Sequence, residues 1–282
     1  MNPPIQNIFH NDSRQLEASL NLDASSARIE VQCLLQAVLQ VNRAWLLAHP
    51  EHKLEEGQYV RFTALFERRM HGEPIAYLLG EREFYGLNFK VTPATLIPRH
   101  DTELLVELAL QRIPLQGRCR VLDLGTGSGA IALSIAHARP DAEVKAVDAS
   151  TAALEVAQLN TQRLGLNNVR LLRSDWFSAL HGERFDIIVS NPPYIADGDA
   201  HLSQGDVRFE PRAALVSGAD GLDDIRHLIA GAKDRLNDNG WLLLEHGYDQ
   251  AAQVRELLQQ AGFSGIFSAR DLAGIERVSG GS

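Results

Sequence analysis

The sequence predicts an α/β protein: a doubly wound, mostly parallel seven-stranded sheet, preceded by a small N-terminal helical-bundle domain and joined to it by a short β-hairpin. Three observations predict it. Apolar positions through the first 70 residues recur at helical spacing with no strong strand. From Arg120 onward short apolar runs alternate with helical segments at the spacing of βαβ units. Between the two, Glu83-Phe84-Tyr85-Gly86-Leu87-Asn88-Phe89-Lys90-Val91 alternates about a glycine, as a hairpin does.

In chain order, Leu16, Leu20 and Leu22, then Val31, Leu34, Leu35, Val38, Leu39 and Val41, then Val60, Phe62, Leu65 and Phe66 mark the helices of the bundle. Ser25 or Ser26, with Glu30 nearby, resembles a helix start, and Pro50 and Gly57 are expected breaks. The expected domains are 1–82 (helical), 83–95 (hairpin linker) and 96–282 (α/β unit). In the last of these, Val121–Leu124, Val144–Val147, Val169–Leu172, Phe185–Val189 and Trp241–Leu244 are the parallel strands. Ile131–Ala138, Ala152–Leu164, Ile225–Leu236 and Ala251–Ala261 are the intervening helices, and Gly265–Ala269 with Glu276–Gly280 form a terminal hairpin. Asp220-Gly221-Leu222 and Asp238-Asn239-Gly240 read as turns.

Composition narrows the function. A hydrophobic content of 45% describes a globular chain, no apolar run approaches a membrane span, and the N-terminus lacks a signal-like segment, so the cytoplasm is the expected compartment. The net charge is −9 and neither the first 90 residues nor the remainder is basic, which disfavours extended nucleic-acid binding. Cys33 and Cys119 are too few for a disulfide framework or a thiolate cluster and are expected as small buried hydrophobes. The ten histidines show no metal-ligand spacing.

Four segments carrying chemistry fall at the carboxyl ends of consecutive strands and so should line one crevice. The first is Gly125-Thr126-Gly127-Ser128-Gly129, a glycine turn running into a helix, where backbone N–H groups can approach a ligand. It satisfies a permissive dinucleotide fingerprint, so alone it does not separate a nicotinamide from another adenosine-bearing cofactor, and close helix–strand packing is the plainer explanation. The second is Asp148, placed to accept from both hydroxyls of a ribose or else to cap the next helix. The third is Asp175-Trp176, an acceptor for an adenine amino group and a surface for its ring, the alternative for Trp176 being ordinary core.

The fourth is Asn191-Pro192-Pro193-Tyr194, which follows a buried strand. An amide or aromatic amino nitrogen is a poor nucleophile because its lone pair is delocalised. An enzyme that alkylates one should hold the NH₂ between acceptors so that the lone pair faces an electrophilic methyl carbon. The Asn191 side-chain oxygen and the Pro192 carbonyl supply two acceptors on a backbone stiffened by proline, and Tyr194 supplies a flat surface. A sulfonium cofactor would bring the activation, with neither metal nor strong base required. Glu245-His246 lies near the same edge and is given no catalytic role.

These residues resemble the class I S-adenosylmethionine-dependent methyltransferases of Rossmann-like fold that carry an Asn-Pro-Pro-Tyr motif, and more narrowly the HemK-type peptide chain release factor glutamine methyltransferases. The narrower likeness rests on Pro74-Ile75-Ala76-Tyr77 with Gly80-Glu81 and on Ile97-Pro98-Arg99-His100-Asp101-Thr102-Glu103. It implies S-adenosyl-L-methionine as cofactor, no metal, and class I release factors as protein substrates, methylated on the glutamine amide of their Gly-Gly-Gln loop. By the same likeness Gly125, Thr126, Gly127, Ser128 and Gly129 hold the methionine part, Asp148 the ribose, Trp176 the adenine beside the acceptor Asp175 read above, and Asn191 to Tyr194 the substrate, with Asn191 and Pro192 catalytic and Asn191 also touching cofactor. Arg99 is implied to shape a peptide channel, a surface ion pair being the alternative. His100 stands where the family usually has proline, which is expected to alter a loop only. Three other functions stay open: methylation of a ribosomal-protein glutamine, of adenine N6 in nucleic acid, or a nicotinamide-dependent oxidation. A non-catalytic module would require Asn191 to be idle.

Overall fold

The computed structural model describes residues 2–282, and the chain divides into two compact units. The first holds residues 1–80 together with Ser203–Phe209, and the second holds Glu81–Leu202 and Glu210–Ser282. The hairpin expected as a joint therefore belongs to the second unit, and a short segment from late in the chain belongs to the first.

The first unit is helical, with α1 (Ile5–Leu20), α2 (Ala24–Leu39), α3 (Arg43–Ala48), α4 (Glu56–Met70) and α5 (Ile75–Leu79). Ile5, Ile8, Leu16, Val31, Leu34, Leu35, Leu46 and Phe62 form its core. The cap of α2 is Asp23, two residues before the expected start. Its carboxylate accepts from the N–H groups of Ser25 and Ser26 at 2.9 and 3.0 Å, satisfying donors the helix cannot. Gly57 does not break a helix but lies in the first turn of α4, where the exposed face leaves it unpacked. Glu30 instead meets Arg69 through 2.6 and 3.0 Å hydrogen bonds, and Asp206 of the late segment lies 3.4 Å from the same guanidinium, whose side chain is only 5% exposed. A buried cation is thereby matched by two carboxylates, as burial demands.

The second unit opens with the hairpin β1 (Glu81–Phe84) and β2 (Leu87–Lys90). Its two turn residues, Tyr85 and Gly86, both have positive φ, 52° and 73°, the turn that matches strand twist. A single 3₁₀ turn over His100–Thr102 leads into α6 (Glu103–Leu110). Then follow β3 (Arg120–Leu124), α7 (Ala130–Ala138), β4 (Glu143–Asp148), α8 (Thr151–Arg163), β5 (Val169–Arg173), β6 (Phe185–Ser190), α9 (Asp223–Ala232), β7 (Leu236–Glu245), α10 (Ala251–Gln260), β8 (Phe267–Arg270) and β9 (Glu276–Gly281). The seven-stranded sheet runs in the order β5-β4-β3-β6-β7-β9-β8, with β9 antiparallel to both of its neighbours and the other pairings parallel. Alternation along the strands feeds two cores. Val121, Ile187, Val189 and Leu243 join α6 and α7, whereas Leu122, Leu124, Ile188, Leu242 and Leu244 join α9 and α10.

One boundary differs from expectation. The helix α9 ends at Ala232 and Leu236 already belongs to β7, so Asp238-Asn239-Gly240, expected as a turn, lies inside a strand. The ladder jumps from Phe185↔Leu236 to Ile187↔Trp241, and the extra residues bulge out with Asn239 at φ 63° while Asn237 Nδ2 donates to Asp186 Oδ1 at 2.8 Å. Cys119 is buried as expected, and Cys33 is half-buried.

Strand order reverses between β3 and β6, which pair with Leu124 opposite Ser190. The residues that follow, Gly125 and Asn191, thus leave the sheet side by side at the switch point where doubly wound folds open a crevice.

Candidate active site

A cavity of about 380 Å³ opens at this point, within the range of small-molecule sites. Its wall includes Gly125, Thr126, Gly127 and Ser128 after β3, Asp148 after β4, Asp175 and Trp176 after β5, Asn191 and Pro193 after β6, and Arg99 and Thr102 ahead of α6. Gly129, Pro192 and Tyr194 are not among the lining residues. Ser190 Oγ donates to the Leu124 carbonyl at 2.7 Å and ties the two strand ends together.

The glycine loop is built differently from a phosphate cradle. The N–H groups of Gly125 and Thr126 both donate to the Val147 carbonyl at 2.9 Å, Gly127 N–H to Asp148 Oδ2 at 2.9 Å, and Gly129 N–H to the Thr126 carbonyl at 2.9 Å. Four amides expected to face a ligand are thus engaged within the protein. At the start of α7, Asp123 Oδ2 accepts from Ala132 N–H at 3.2 Å and from Thr126 Oγ1 at 2.6 Å. A buried acid therefore takes the helix N-terminal donor that a dinucleotide's pyrophosphate would need, which weighs against a nicotinamide cofactor. Burial lifts the Asp123 carboxyl to about 7. Gly129 serves packing: a Cβ there would stand 2.9 Å from Leu133 Cδ1.

Of the loop's glycines, Gly127 has open space where a Cβ would stand, whereas Gly125 lies close against a ring. Gly125 has φ 71°, and a Cβ on it would stand 3.3 Å from the Trp176 ring. Trp176 packs on the α9–α10 core and lines the cavity at once. It holds a positive φ of 45°, braced by Ser174 Oγ donating to its carbonyl at 2.7 Å. Asp148 does not cap α8; that is done by Ser150, whose Oγ accepts from Ala153 N–H. Asp148 instead accepts from Gly127 N–H and, through Oδ1, from Ser150 N–H at 2.8 Å, which fixes its carboxylate at the cavity wall.

Arg99 lines the cavity and donates to the carboxylate of buried Glu210, a firmer partner than a surface ion pair. Asn191 Nδ2 donates to Thr102 Oγ1 at 3.2 Å. Tyr194 is turned from the cavity, with its hydroxyl 3.4 Å from Glu245 Oε1, and burial raises its pKa. The chain past the motif is secured by Ile195 N–H to the Leu215 carbonyl (2.9 Å) and Gln250 Nε2 to the Tyr194 carbonyl (3.0 Å). Gly221 abuts that carbonyl: a Cβ would stand 2.3 Å from it, on a residue already at φ 76°. Gly221→Ala is therefore expected to cost about 2 kcal/mol or more, seen as a lowered denaturation midpoint.

Thr102, which lines the cavity and accepts from Asn191, was missed as a site residue in the sequence; its only signal was its place in the Ile97–Glu103 segment. Glu245, at a parallel strand's carboxyl end, meets the Tyr194 hydroxyl and is not among the lining residues. His246 beside it turns away, its ring nitrogens meeting Ser279 Oγ and the Gly247 carbonyl at 2.8 and 2.9 Å. His100, in place of the usual proline, contacts Glu103 Oε1 through Nδ1 at 2.9 Å. With Glu83 these make the group among the described residues whose ligand atoms, within 4.8 Å of one another, are close enough to hold a metal ion. No helix of the described residues is long and apolar enough to cross a membrane.

Comparison with known proteins agrees with this geometry. Residues 14–80 match the PrmC N-terminal domain and residues 100–210 the Methyltransferase small domain. Among solved structures, a methyltransferase from Pyrococcus furiosus shares the fold, with TM-score 0.52 and 22% identity over 76% of this chain and 94% of that one. A T. Thermophilus 16S rRNA methyltransferase, solved with AdoMet and guanosine, gives 0.53 and 25% over 72% of this chain and 49% of its own. The release factor glutamine methyltransferase of Bordetella pertussis is 55% identical over 262 residues, covering 92% of this chain and 96% of the relative. That of Escherichia coli K12 is 50% identical over 264 residues, 93% and 95% of the two chains. With both parts of the chain matched and identity of this order over nine-tenths of its length, the chain belongs to the release factor glutamine methyltransferases.

Proposed function

We propose that the protein transfers a methyl group from S-adenosyl-L-methionine to the side-chain amide nitrogen, N5, of the glutamine in the Gly-Gly-Gln loop of class I peptide chain release factors, in the cytoplasm. The observation that carries this reading is the placement of Asn191 beside Gly125, so that an amide-holding residue and a cofactor loop share one cavity wall. The donor set suits the cofactor. It has no phosphates, so the loop's internally engaged amides are no obstacle, and Asp148 keeps lone pairs for ribose hydroxyls. Asp175 and Trp176 line the same cavity, which supports reading them as the adenine contacts.

When bound, the cofactor supplies an electrophilic methyl on a sulfonium, whose departure from sulfur leaves a neutral thioether. Asn191 Oδ1 and the Pro192 carbonyl accept from the substrate NH₂ and turn its lone pair toward that carbon. The new N–C bond forms as the S–C bond breaks, and the nitrogen then releases one proton to water. Because nitrogen acidity rises only as the bond forms, no strong base is needed. Arg99, fixed by Glu210, borders the approach of the peptide. The helical first unit is the proposed docking part for the release factor.

The test is intact and peptide mass spectrometry of an unmethylated release factor after incubation with the protein and cofactor. One added methyl on the Gly-Gly-Gln glutamine is expected. Cofactor binding without any methylation of a release factor would refute the reading.

A further inference from the structure

Asn160 is fully buried in the third turn of α8, and an amide in such a place costs stability unless its polar atoms are paired. Both are paired, and the partners lie outside α8. Oδ1 accepts from Lys90 N–H at 2.7 Å, while Nδ2 donates to the Lys90 carbonyl at 3.0 Å and to the Ser128 carbonyl at 2.8 Å. These partners allow one orientation of the amide. A main-chain N–H only donates and a carbonyl only accepts, so both amide hydrogens go to carbonyls and the oxygen to Lys90 N–H.

The partners belong to two parts of the cavity wall. Ser128 lines the cavity, and the peptide joining it to Gly129 is held at both ends, its carbonyl by Asn160 and its N–H by the Thr126 carbonyl at 2.9 Å. Helix and loop meet closely there: a Cβ on Gly129 would stand 3.4 Å from the Cβ of Ala157, three residues before Asn160. Lys90 ends β2, and the chain running on from it supplies Ala94, Leu96 and Arg99 to the same cavity. With its N–H and carbonyl both bonded to one side chain, Lys90 is held as a neighbouring antiparallel strand would hold it.

We propose that Asn160 is a positioning residue for the cofactor: one buried amide ties the glycine loop to the end of β2 and so fixes two parts of the cavity wall together before the cofactor arrives. The inference rests on the methyl-transfer reading above. A site that is assembled only part of the time binds its ligand more weakly, in proportion to the assembled fraction. Once ligand is bound, the assembled form is the populated one, and the rate at saturation is kept. Asn160 should therefore act on cofactor affinity and leave kcat nearly alone.

The experiment compares the wild type, Asn160→Asp and Asn168→Asp by calorimetric titration with S-adenosylhomocysteine, steady-state methylation of a release factor and urea unfolding. Asn160→Asp keeps the shape and the acceptor, but loses the amide donors and sets a carboxyl oxygen against two carbonyls. It should weaken S-adenosylhomocysteine binding about 10-fold or more and raise KM for the cofactor in step. Its kcat at saturating cofactor should stay within about threefold of wild type and its KM for the release factor within about twofold. Asn168→Asp is the control for lost stability. Asn168, just before β5 and so at the sheet edge away from the cavity, donates through Nδ2 to the carbonyls of Ala136, Arg139 and Ala142 at 3.1, 3.2 and 3.1 Å. That variant should lower the urea midpoint yet keep cofactor affinity within about twofold. If Asn160→Asp does not fold, amide exchange in the wild type decides. S-adenosylhomocysteine should then slow exchange of Lys90 N–H, which is not among the lining residues, about fivefold more than that of Glu143 N–H, which bonds the Cys119 carbonyl at the far edge. Unaltered affinity in a folded Asn160→Asp, an equal loss of affinity in Asn168→Asp, a fall in kcat with KM unchanged, or no extra protection of Lys90 would overturn the inference. A wild type that binds S-adenosylhomocysteine yet methylates no release factor would instead sink the reading of the reaction, and the affinity comparison would still decide the role of Asn160.

Discussion

Replacing Asn191 by alanine is expected to lower methyl transfer by about 100- to 1,000-fold while leaving cofactor affinity nearly unchanged, as losing one preorganised polar contact at a reacting centre does. The separation follows from where the residue sits. Asn191 leaves β6 beside the glycine loop, but the loop's own geometry is held by hydrogen bonds to Val147, Asp148 and Asp123, and the hydrogen bond of the Asn191 side chain goes to Thr102 instead. Truncation should therefore remove an acceptor for the substrate amide without slackening the cofactor wall. The check is single-turnover methylation of a release factor beside calorimetric titration with S-adenosylhomocysteine. A loss of cofactor affinity that matched the loss of rate would move Asn191 from the substrate to the cofactor, and an unaltered rate would leave the amide idle.

What could be read from the sequence was what depends on neighbours along the chain. The apolar runs Val121–Leu124 and Phe185–Val189, the glycines after the first and the prolines after the second are local signals, and two adjacent parallel strands suffice to bring Gly125 and Asn191 together. Local chemistry also explains the failures close by. Asp23 outcompeted Ser25 and Ser26 as a cap because one carboxylate can satisfy both of their amides. Asp238-Asn239-Gly240 has turn composition, but pairing with β6 absorbs it as a bulge.

The rest was hidden because it depends on partners far apart. Nothing near Glu245 announces that its carboxylate meets a tyrosine hydroxyl 51 positions earlier, and nothing near Thr102 that its hydroxyl accepts from an asparagine amide 89 positions later. Nor does the loop's sequence tell that its amides are already satisfied, since the acceptor for two of them is a carbonyl on the neighbouring strand. A glycine fingerprint advertises room for a ligand, and only the assembled sheet decides which donors remain.

Asp123 and Glu245, two of the buried acids of the α/β unit, should make the folded state less stable as pH rises through neutrality. Asp123 and Glu245 are both buried, and desolvation raises each carboxyl to about 7, from 3.8 and 4.5. Between those values the unfolded chain has released its protons and the folded one keeps them. The stabilisation is thus complete below about pH 4 and fades toward pH 7, by about 2 kcal/mol per group between pH 5.5 and 7. Half-buried Asp12, raised to about 6, adds a smaller contribution of the same sign. His246 opposes them: burial lowers its pKa, so its contribution is kept above the unfolded value near 6.5 and lost on acidification. With two fully buried acids against one histidine, urea unfolding should show less stability at about pH 8 than at about pH 5.5. Asp123→Asn separates the contributions. The new amide oxygen can still accept from Thr126 and Ala132, and its NH₂ replaces an Oδ1 that has no hydrogen-bond partner, so the variant should be weaker overall but lose less of its stability over that range. A wild-type slope of the opposite sign, or one that Asp123→Asn leaves unchanged, would show that Asp123 is ionised in the folded protein, and would require a counter-charge beside it.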